Sequence, residues 1–241
     1  YYDADKNGYL SNDEIQKITD ISYDGGENPS DRKVTSLKGI EHFTYLKTLH
    51  LYETQVTGID LSQNKNLVKV SILNPLNTNT KELILPGNGK ITELALSNYE
   101  AKTLDLSMLT GLKKIELKAC TNLETIDLSK NRKLKSVEIN AKDSTGKLKK
   151  SKLKTIIIGD KDNLKYLSGS NLSNLKLIKL GKTPILNSVY LTNNKKLKSI
   201  NTVNMPKLRK LVVEGCGLKA LNLSKNKNLT KLTCKNNKIK K

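Results

Sequence analysis

The 241-residue sequence predicts an elongated right-handed β-solenoid, a thin stack of short parallel strands with little helix. Three observations point there. A six-residue unit (apolar, two others, apolar, one other, apolar) recurs at starts mostly 10 or 11 residues apart; a fixed short period of this kind marks stacked repeats. Aromatic residues make up only 4% of the chain, with nine Tyr, one Phe and no Trp. Leu, Ile and Val must therefore do nearly all the packing, which suits a thin core of near-identical layers. Within each unit the second and third apolar residues alternate, so they fall on one face of a short strand.

Residues 1–20 open with an oxygen-rich loop, Asp3-Ala4-Asp5-Lys6-Asn7-Gly8-Tyr9-Leu10-Ser11-Asn12-Asp13-Glu14. Asp3, Asp5 and Asn7 offer side-chain oxygens, Tyr9 its backbone carbonyl, Ser11 an oxygen directly or through water, and Glu14 both carboxylate oxygens. Gly8 stands where a sharp turn needs positive φ, and Leu10 where the loop packs inward. A hard cation takes about six to eight oxygens, and this spacing delivers them. Ser11 and Glu14 also form an S-x-x-E capping box for a helix running to about Thr19, an alternative that leaves Asp3, Asp5, Asn7 and Gly8 unexplained. The loop resembles the EF-hand calcium loop and the calcium segment of dockerins. That resemblance implies Ca2+ held by Asp3, Asp5, Asn7, Tyr9, Ser11 and Glu14. One copy is present where dockerins duplicate it, so a docking role is not implied.

Residues 21–45 are expected to be an N-terminal cap half-repeat. Ile18-Ile21-Tyr23 repeats the apolar spacing as a first, atypical strand, and Gly25 to Lys33 reads as a turn-rich connector. From 46 to 241, strand-class units start at residues 46, 67, 91, 112, 134, 164, 186, 208 and 229, giving nine regular repeats of 21 or 22 residues. The alternate units carry Ile59-Asp60-Leu61-Ser62, Leu104-Asp105-Leu106-Ser107, Ile126-Asp127-Leu128-Ser129 and the variant Leu221-Asn222-Leu223-Ser224. About ten residues remain for the return side, too few for a helix with two turns, so extended or 3-10-like segments are expected there. Insertions fall near 73–81 and at 140–152, the latter (NAKDSTGKLKKSK) polar and basic; each is either a contact loop on the rigid array or a solvated insertion. The chain starts at Tyr1 without a leader pattern, and Ile239-Lys240-Lys241 begins another unit. Both features suggest a piece of a longer parent.

The strand class fits L-x-x-L-x-L-x-x-(N/C/T)-x-L, most clearly at Leu208–Leu218 with Cys216, Leu229–Ile239 with Asn237, and Leu46–Val56 with Thr54. From about Val34 to its end the chain resembles the leucine-rich-repeat superfamily. With its Lys- and Asn-rich repeats, its I-D-L-S units and the entry Ser36-Leu37-Lys38-Gly39-Ile40-Glu41, it looks similar to surface or secreted leucine-rich-repeat proteins of Gram-positive bacteria, internalin-like ones included. That resemblance implies adhesion or partner recognition outside the cell.

Lys and Arg total 43 against 23 Asp and Glu, a formal charge of +20, yet only Arg32, Arg132 and Arg209 are arginines. Readers of nucleic acid favour the arginine fork, so specific nucleic-acid recognition is not expected. The predicted concave face carries six Lys against four Glu, so most of the excess lies on turns and the convex side as a solubilising coat. Tyr52, Tyr166 and Tyr190 are the expected anchors there, with His50, Lys114, Glu116 and Glu138 around them; the alternative is that the tyrosines only pair across neighbouring strands. Cys120, Cys216 and Cys234 follow neither metal nor disulfide spacing and read as buried apolar thiols. With two histidines, His42 and His50, and no G-x-S-x-G, H-E-x-x-H or phosphate loop, catalysis is not expected. No apolar run reaches the ~18 residues of a membrane span. These readings converge on a monomeric, non-enzymatic, extracellular module for a protein or glycan partner. Binding of an anionic cell-wall polymer through the lysine coat, or a passive spacer, are the alternatives.

Overall fold

The computed structural model describes residues 3–26, 34–74, 80–143 and 145–240. Among them it holds one α-helix, α1 (Asn12–Lys17), a 3-10 turn at Ile40–His42, and fifteen strands. The first five strands are β1 (Asp20–Asp24), β2 (Thr48–Tyr52), β3 (Gly58–Asp60), β4 (Lys69–Leu73) and β5 (Glu82–Ile84). Next come β6 (Glu93–Ser97), β7 (Lys114–Lys118), β8 (Thr125–Asp127), β9 (Ser136–Asn140) and β10 (Thr155–Gly159). The last are β11 (Tyr166–Ser170), β12 (Leu177–Leu180), β13 (Ser188–Tyr190), β14 (Lys210–Val212) and β15 (Lys231–Thr233). Ten of them form one parallel sheet in the order β1-β2-β4-β6-β7-β9-β11-β13-β14-β15, while the return side carries β12-β10-β8 and β3-β5. The molecule is a parallel-strand β-solenoid with almost no helix, as its period predicts.

Register makes the core. Leu49, Val70, Leu94, Ile115, Val137, Leu167, Val189 and Leu211 pair one to the next across the sheet, and Leu51, Ile72, Leu96, Leu117 and Ile139 form a second row. Each is essentially buried, and full burial of such a side chain stabilises by about 1.5–3 kcal/mol. A one-residue slip would turn both rows to solvent. After most strands of the large sheet the coil turns through a residue of positive φ: Glu53, Asn98, Ala119, Asn171, Asn193, Gly215 and Asn236.

The return side is built on short hydrogen bonds. In the I-D-L-S units, Asp60, Asp105 and Asp127 accept the N–H of Ser62, Ser107 and Ser129 at 2.8, 2.9 and 2.8 Å. Hydrogen bonds from these serines hold the three carboxyls below their ordinary range, and each is an Asx turn. Four residues past each aspartate position a second ladder begins. Asn64 Nδ2 donates to the Ile40 and Phe43 carbonyls of the previous coil (2.7 and 3.1 Å), Asn131 to those of Leu106 and Leu109 (2.8 and 2.9 Å), and Asn226 to those of Thr202 and Met205 (3.0 and 2.9 Å). In the coil after Asn131 this position is Lys161, with no solvent exposure. Its ammonium instead caps the Ile158 and Asp160 carbonyls at 2.5 and 3.1 Å.

Two expectations are corrected. The helix does not reach Thr19; it ends at Lys17 because the Thr19 carbonyl accepts the N–H groups of Lys47 and Thr48 (2.7 and 3.0 Å), drawing the chain into β1. The 140–152 insertion is not merely a solvated loop. Asp143, buried, accepts from the N–H groups of Thr145 and Lys147 (3.1 and 2.9 Å) and from the Thr145 hydroxyl (2.6 Å). Lys142 bridges antiparallel to Leu148, so the segment folds back as a hairpin that leaves Leu148 exposed. The expected irregular loop near 73–81 falls mostly at 75–79, and the connector mostly at 27–33, outside the described residues.

Candidate functional site

Two regions hold the candidate side chains: the N-terminal loop and the ten-stranded face. In the loop, Asp3 and Asp5 turn their carboxylates inward because backbone donors hold them there. Asp3 accepts from the N–H groups of Asn7 and Gly8 (3.1 and 2.8 Å), and Asp5 from the N–H and side chain of Asn7 (3.2 and 2.8 Å). Asn7 Oδ1 accepts the Tyr9 N–H at 2.9 Å. Lys6 and Gly8 take positive φ, 57° and 87°, the sharp turn expected at Gly8. Glu14 closes the ring from the first turn of α1. It accepts the Ala4 N–H at 2.6 Å and, in a complete capping box, the N–H and hydroxyl of Ser11 at 2.8 Å each. Hydrogen bonds from Ser11, then Ala4, bring its carboxyl down to about 2. Carboxylate oxygens of Asp3, Asp5 and Glu14 all lie within 4.8 Å of one another. The capping box and the cation arrangement therefore use the same glutamate, and this donor set fits a hard cation. Leu10, expected to pack inward, is exposed; Ile18, just past α1, supplies the buried apolar contact.

On the sheet face, the residues two, four and six places past each strand-class start form rows in register. His50, Ser71, Ala95, Glu116 and Glu138 pair in sequence across β2, β4, β6, β7 and β9. Glu116 is bracketed by the ammonium groups of Lys118 and Lys114, the latter 3.9 Å away. Tyr52 pairs in register with Leu73 at the lip of β2. Tyr166 and Tyr190 lie further along, their ring centroids 5.5 Å apart and tilted by 41°; Lys210 stands 4.9 Å over the Tyr190 ring. Burial and the nearby Glu138 raise the Tyr166 phenol, against a hydrogen bond with Ser168. Thus the structure brings His50, Lys114 and Glu116 around one stretch and Tyr166 and Tyr190 around another. Three outward positions are not available surface: Ser97, Ser168 and Ser170 are buried, being short side chains beneath taller neighbours. Ser97 also accepts the Asn74 N–H at 2.8 Å.

The face contains a depression of about 300 Å³ between β2 and β7, with Ser71 and Ala95 on its floor. Periodicity alone does not reveal it; the signal was two small residues in adjacent repeats between His50 and Glu116. The cysteines sit in the stack. Cys216 Sγ contacts the Leu191 carbonyl, and Asn237 at the same repeat position donates to the Val213 carbonyl at 2.6 Å. Burial pushes the Cys120 thiol up to about 12 and raises that of Cys216, which leaves neither as a thiolate nucleophile at neutral pH. No helix among the described residues is long and apolar enough to cross a membrane.

No family model and no curated protein matches the chain. Solved structures do. The functional domain of InlJ from Listeria monocytogenes, described as including a cysteine ladder, aligns over 96% of this chain and 52% of its own, at 18% identity and a TM-score of 0.53. Internalin C2 of the same organism aligns over 93% of this chain and 84% of its own, at 19% identity and a TM-score of 0.48. Internalin InlF covers 95% and 71%, at 20% and 0.42. The chain spans about half the length of the InlJ domain. At this identity the InlJ likeness speaks to fold, and the fold is the leucine-rich-repeat solenoid.

Proposed function

We propose that this chain is a non-enzymatic recognition module of the cell surface or secreted space, acting as a monomer and binding a protein or glycan partner on its ten-stranded face. The observation that carries this reading is the face itself. Half-exposed polar and aromatic side chains stand in register on strands whose other side is the core, so a rigid scaffold presents them. Tyr166 and Tyr190 give broad contact area at small entropic loss, and burial leaves the Cys120 and Cys216 thiols poor nucleophiles. The fold likeness to an internalin domain supports the same reading.

We further propose that Asp3, Asp5, Asn7, Tyr9, Ser11 and Glu14 hold a calcium ion. Its support is the convergence of three carboxylates with the glycine turn between them. The ion would tie the loop to α1 and so brace the strand that opens the sheet.

The recognition reading is tested by screening immobilised extracellular proteins and glycans with the wild type and with Tyr166→Ala/Tyr190→Ala. The expected result is a partner whose affinity falls about tenfold or more in the double variant, with little dependence on salt. Retention on an anionic polymer that is unaffected by the tyrosines and lost at high salt would instead place recognition on the lysine coat.

A further inference from the structure

The depression between β2 and β7 owes its shape to one row of the sheet. Across it run His50, Ser71, Ala95 and Glu116, each paired in register with the next. The order is large, small, small, large, so the two middle strands form a floor that the outer two wall in. The depression, open on its outer side, measures about 300 Å³, and the apolar side chain of Leu73 is part of its lining. That volume is at the small end of ligand pockets and holds one ring, not a chain of them.

The chemistry of the rim narrows the occupant. Lys69 and Glu93 form an ion pair at 3.2 Å, and Glu116 is engaged by Lys114 and Lys118. Both rim carboxylates are therefore already paired, and a cationic guest gains no free counter-charge. Among the described residues the side chains of His50 and Ser71 have no hydrogen-bond or ion-pair partner, and they are neighbours across β2 and β4. The cavity thus offers an apolar body, Ala95 and Leu73, and one adjacent pair of unengaged polar groups. A sugar ring would turn hydroxyls onto a floor that is largely apolar, Ala95 and Leu73, and gain few partners there. An aliphatic or phenyl side chain would leave His50 and Ser71 covered and unpaired. A phenol matches both parts, ring on the floor and hydroxyl toward His50 and Ser71.

We propose that this depression is an anchor pocket that receives a tyrosine side chain of a protein partner. The inference rests on the reading of the ten-stranded face as a recognition surface, and it makes the partner a protein. A buried aromatic anchor ringed by mutually paired polar groups is the arrangement in which single residues dominate an interface.

The test uses the whole chain with N-acetyltyrosinamide, following the Ala95 methyl and His50 ring signals by NMR. The pocket should bind this probe in the millimolar range and N-acetylphenylalaninamide several-fold more weakly; N-acetylglucosamine should leave both signals unmoved. Ala95→Leu, on a half-exposed strand position, should fill the floor and abolish the shifts while the melting midpoint stays near wild type. Ser71→Ala should retain binding but lose the preference for tyrosine over phenylalanine. Unmoved signals with the tyrosine probe, undiminished shifts in Ala95→Leu, or tighter binding of the sugar would each overturn the proposal. Those failures would leave the wider recognition reading to the Tyr166/Tyr190 experiment, which involves other strands.

Discussion

Lys161 shows how one residue can depart from a repeat and leave a measurable trace. It occupies the ladder position where Asn64, Asn131 and Asn226 reach back to the previous coil, and desolvation lowers its pKa from 10.5 to about 8 despite the nearby Asp160. Between those values the unfolded chain holds the proton that the folded chain has lost, so stability contributed at this site rises with pH across that window. Below pH 8 the buried charge is a net loss. Lys161→Asn should let the amide donate to the Leu128 and Asn131 carbonyls, as its counterparts do one coil earlier. Denaturant unfolding at pH 7 should find the variant more stable by about 2 kcal/mol, with the difference shrinking toward pH 10. A wild type more stable than Lys161→Asn at pH 7 would contradict this. The lysine was invisible to the repeat pattern, which tracks apolar positions, whereas the convergence of Asp3, Asp5 and Glu14 was legible because their spacing in the loop implies it.

Elements follow the same logic of close approach. At Gly111 an added Cβ would lie 2.0 Å from the Gly89 carbonyl oxygen, a backbone atom that cannot move aside, whereas at Gly58 its nearest neighbour would be 4.0 Å away. Gly111→Ala should therefore lower stability by about 2–3 kcal/mol, and Gly58→Ala should change it by less than about 0.5 kcal/mol; thermal melts of the two variants decide it. The hairpin at residues 141–149 gives a second element-scale expectation. Asp143→Ala removes the acceptor for two backbone donors and a hydroxyl, so the Thr145 and Lys147 amides should exchange with solvent about tenfold faster or more, while those of β9 stay protected. Uniform protection in the variant would mean the hairpin does not depend on Asp143. The strands were legible because apolar residues at fixed spacing must share a face. The hairpin was not, because its polar composition matches that of a solvated loop and only the burial of Asp143 separates them. Nor was the early end of α1 legible. The capping box at Ser11 and Glu14 announces a start, but the stop is set by the Thr19 carbonyl pairing with residues nearly thirty positions away.

At the scale of the whole molecule, a core of stacked Leu, Ile and Val rows supports two regions of different chemistry. The face presents tyrosines and a small depression; the first coil is preceded by a loop of converging carboxylates. The net charge of +20 lies mostly away from the face, so partner binding there should weaken little between low and physiological salt, unlike binding through the lysine coat. The fold was legible from the period alone. The Lys69–Glu93 rim pair was not, because it joins neighbouring coils whose alignment sequence spacing only implies. The most direct measurement is a thermal melt of the chain in millimolar calcium and again in chelator, for the wild type and Glu14→Gln. A ligand that binds only the folded state raises stability by about 2.7 kcal/mol at a hundredfold excess over its Kd. The expected result is a clear calcium-dependent rise in the wild-type midpoint that Glu14→Gln abolishes. Identical midpoints with calcium and with chelator would contradict it, leaving Ser11 and Glu14 as the cap of a short helix and nothing more.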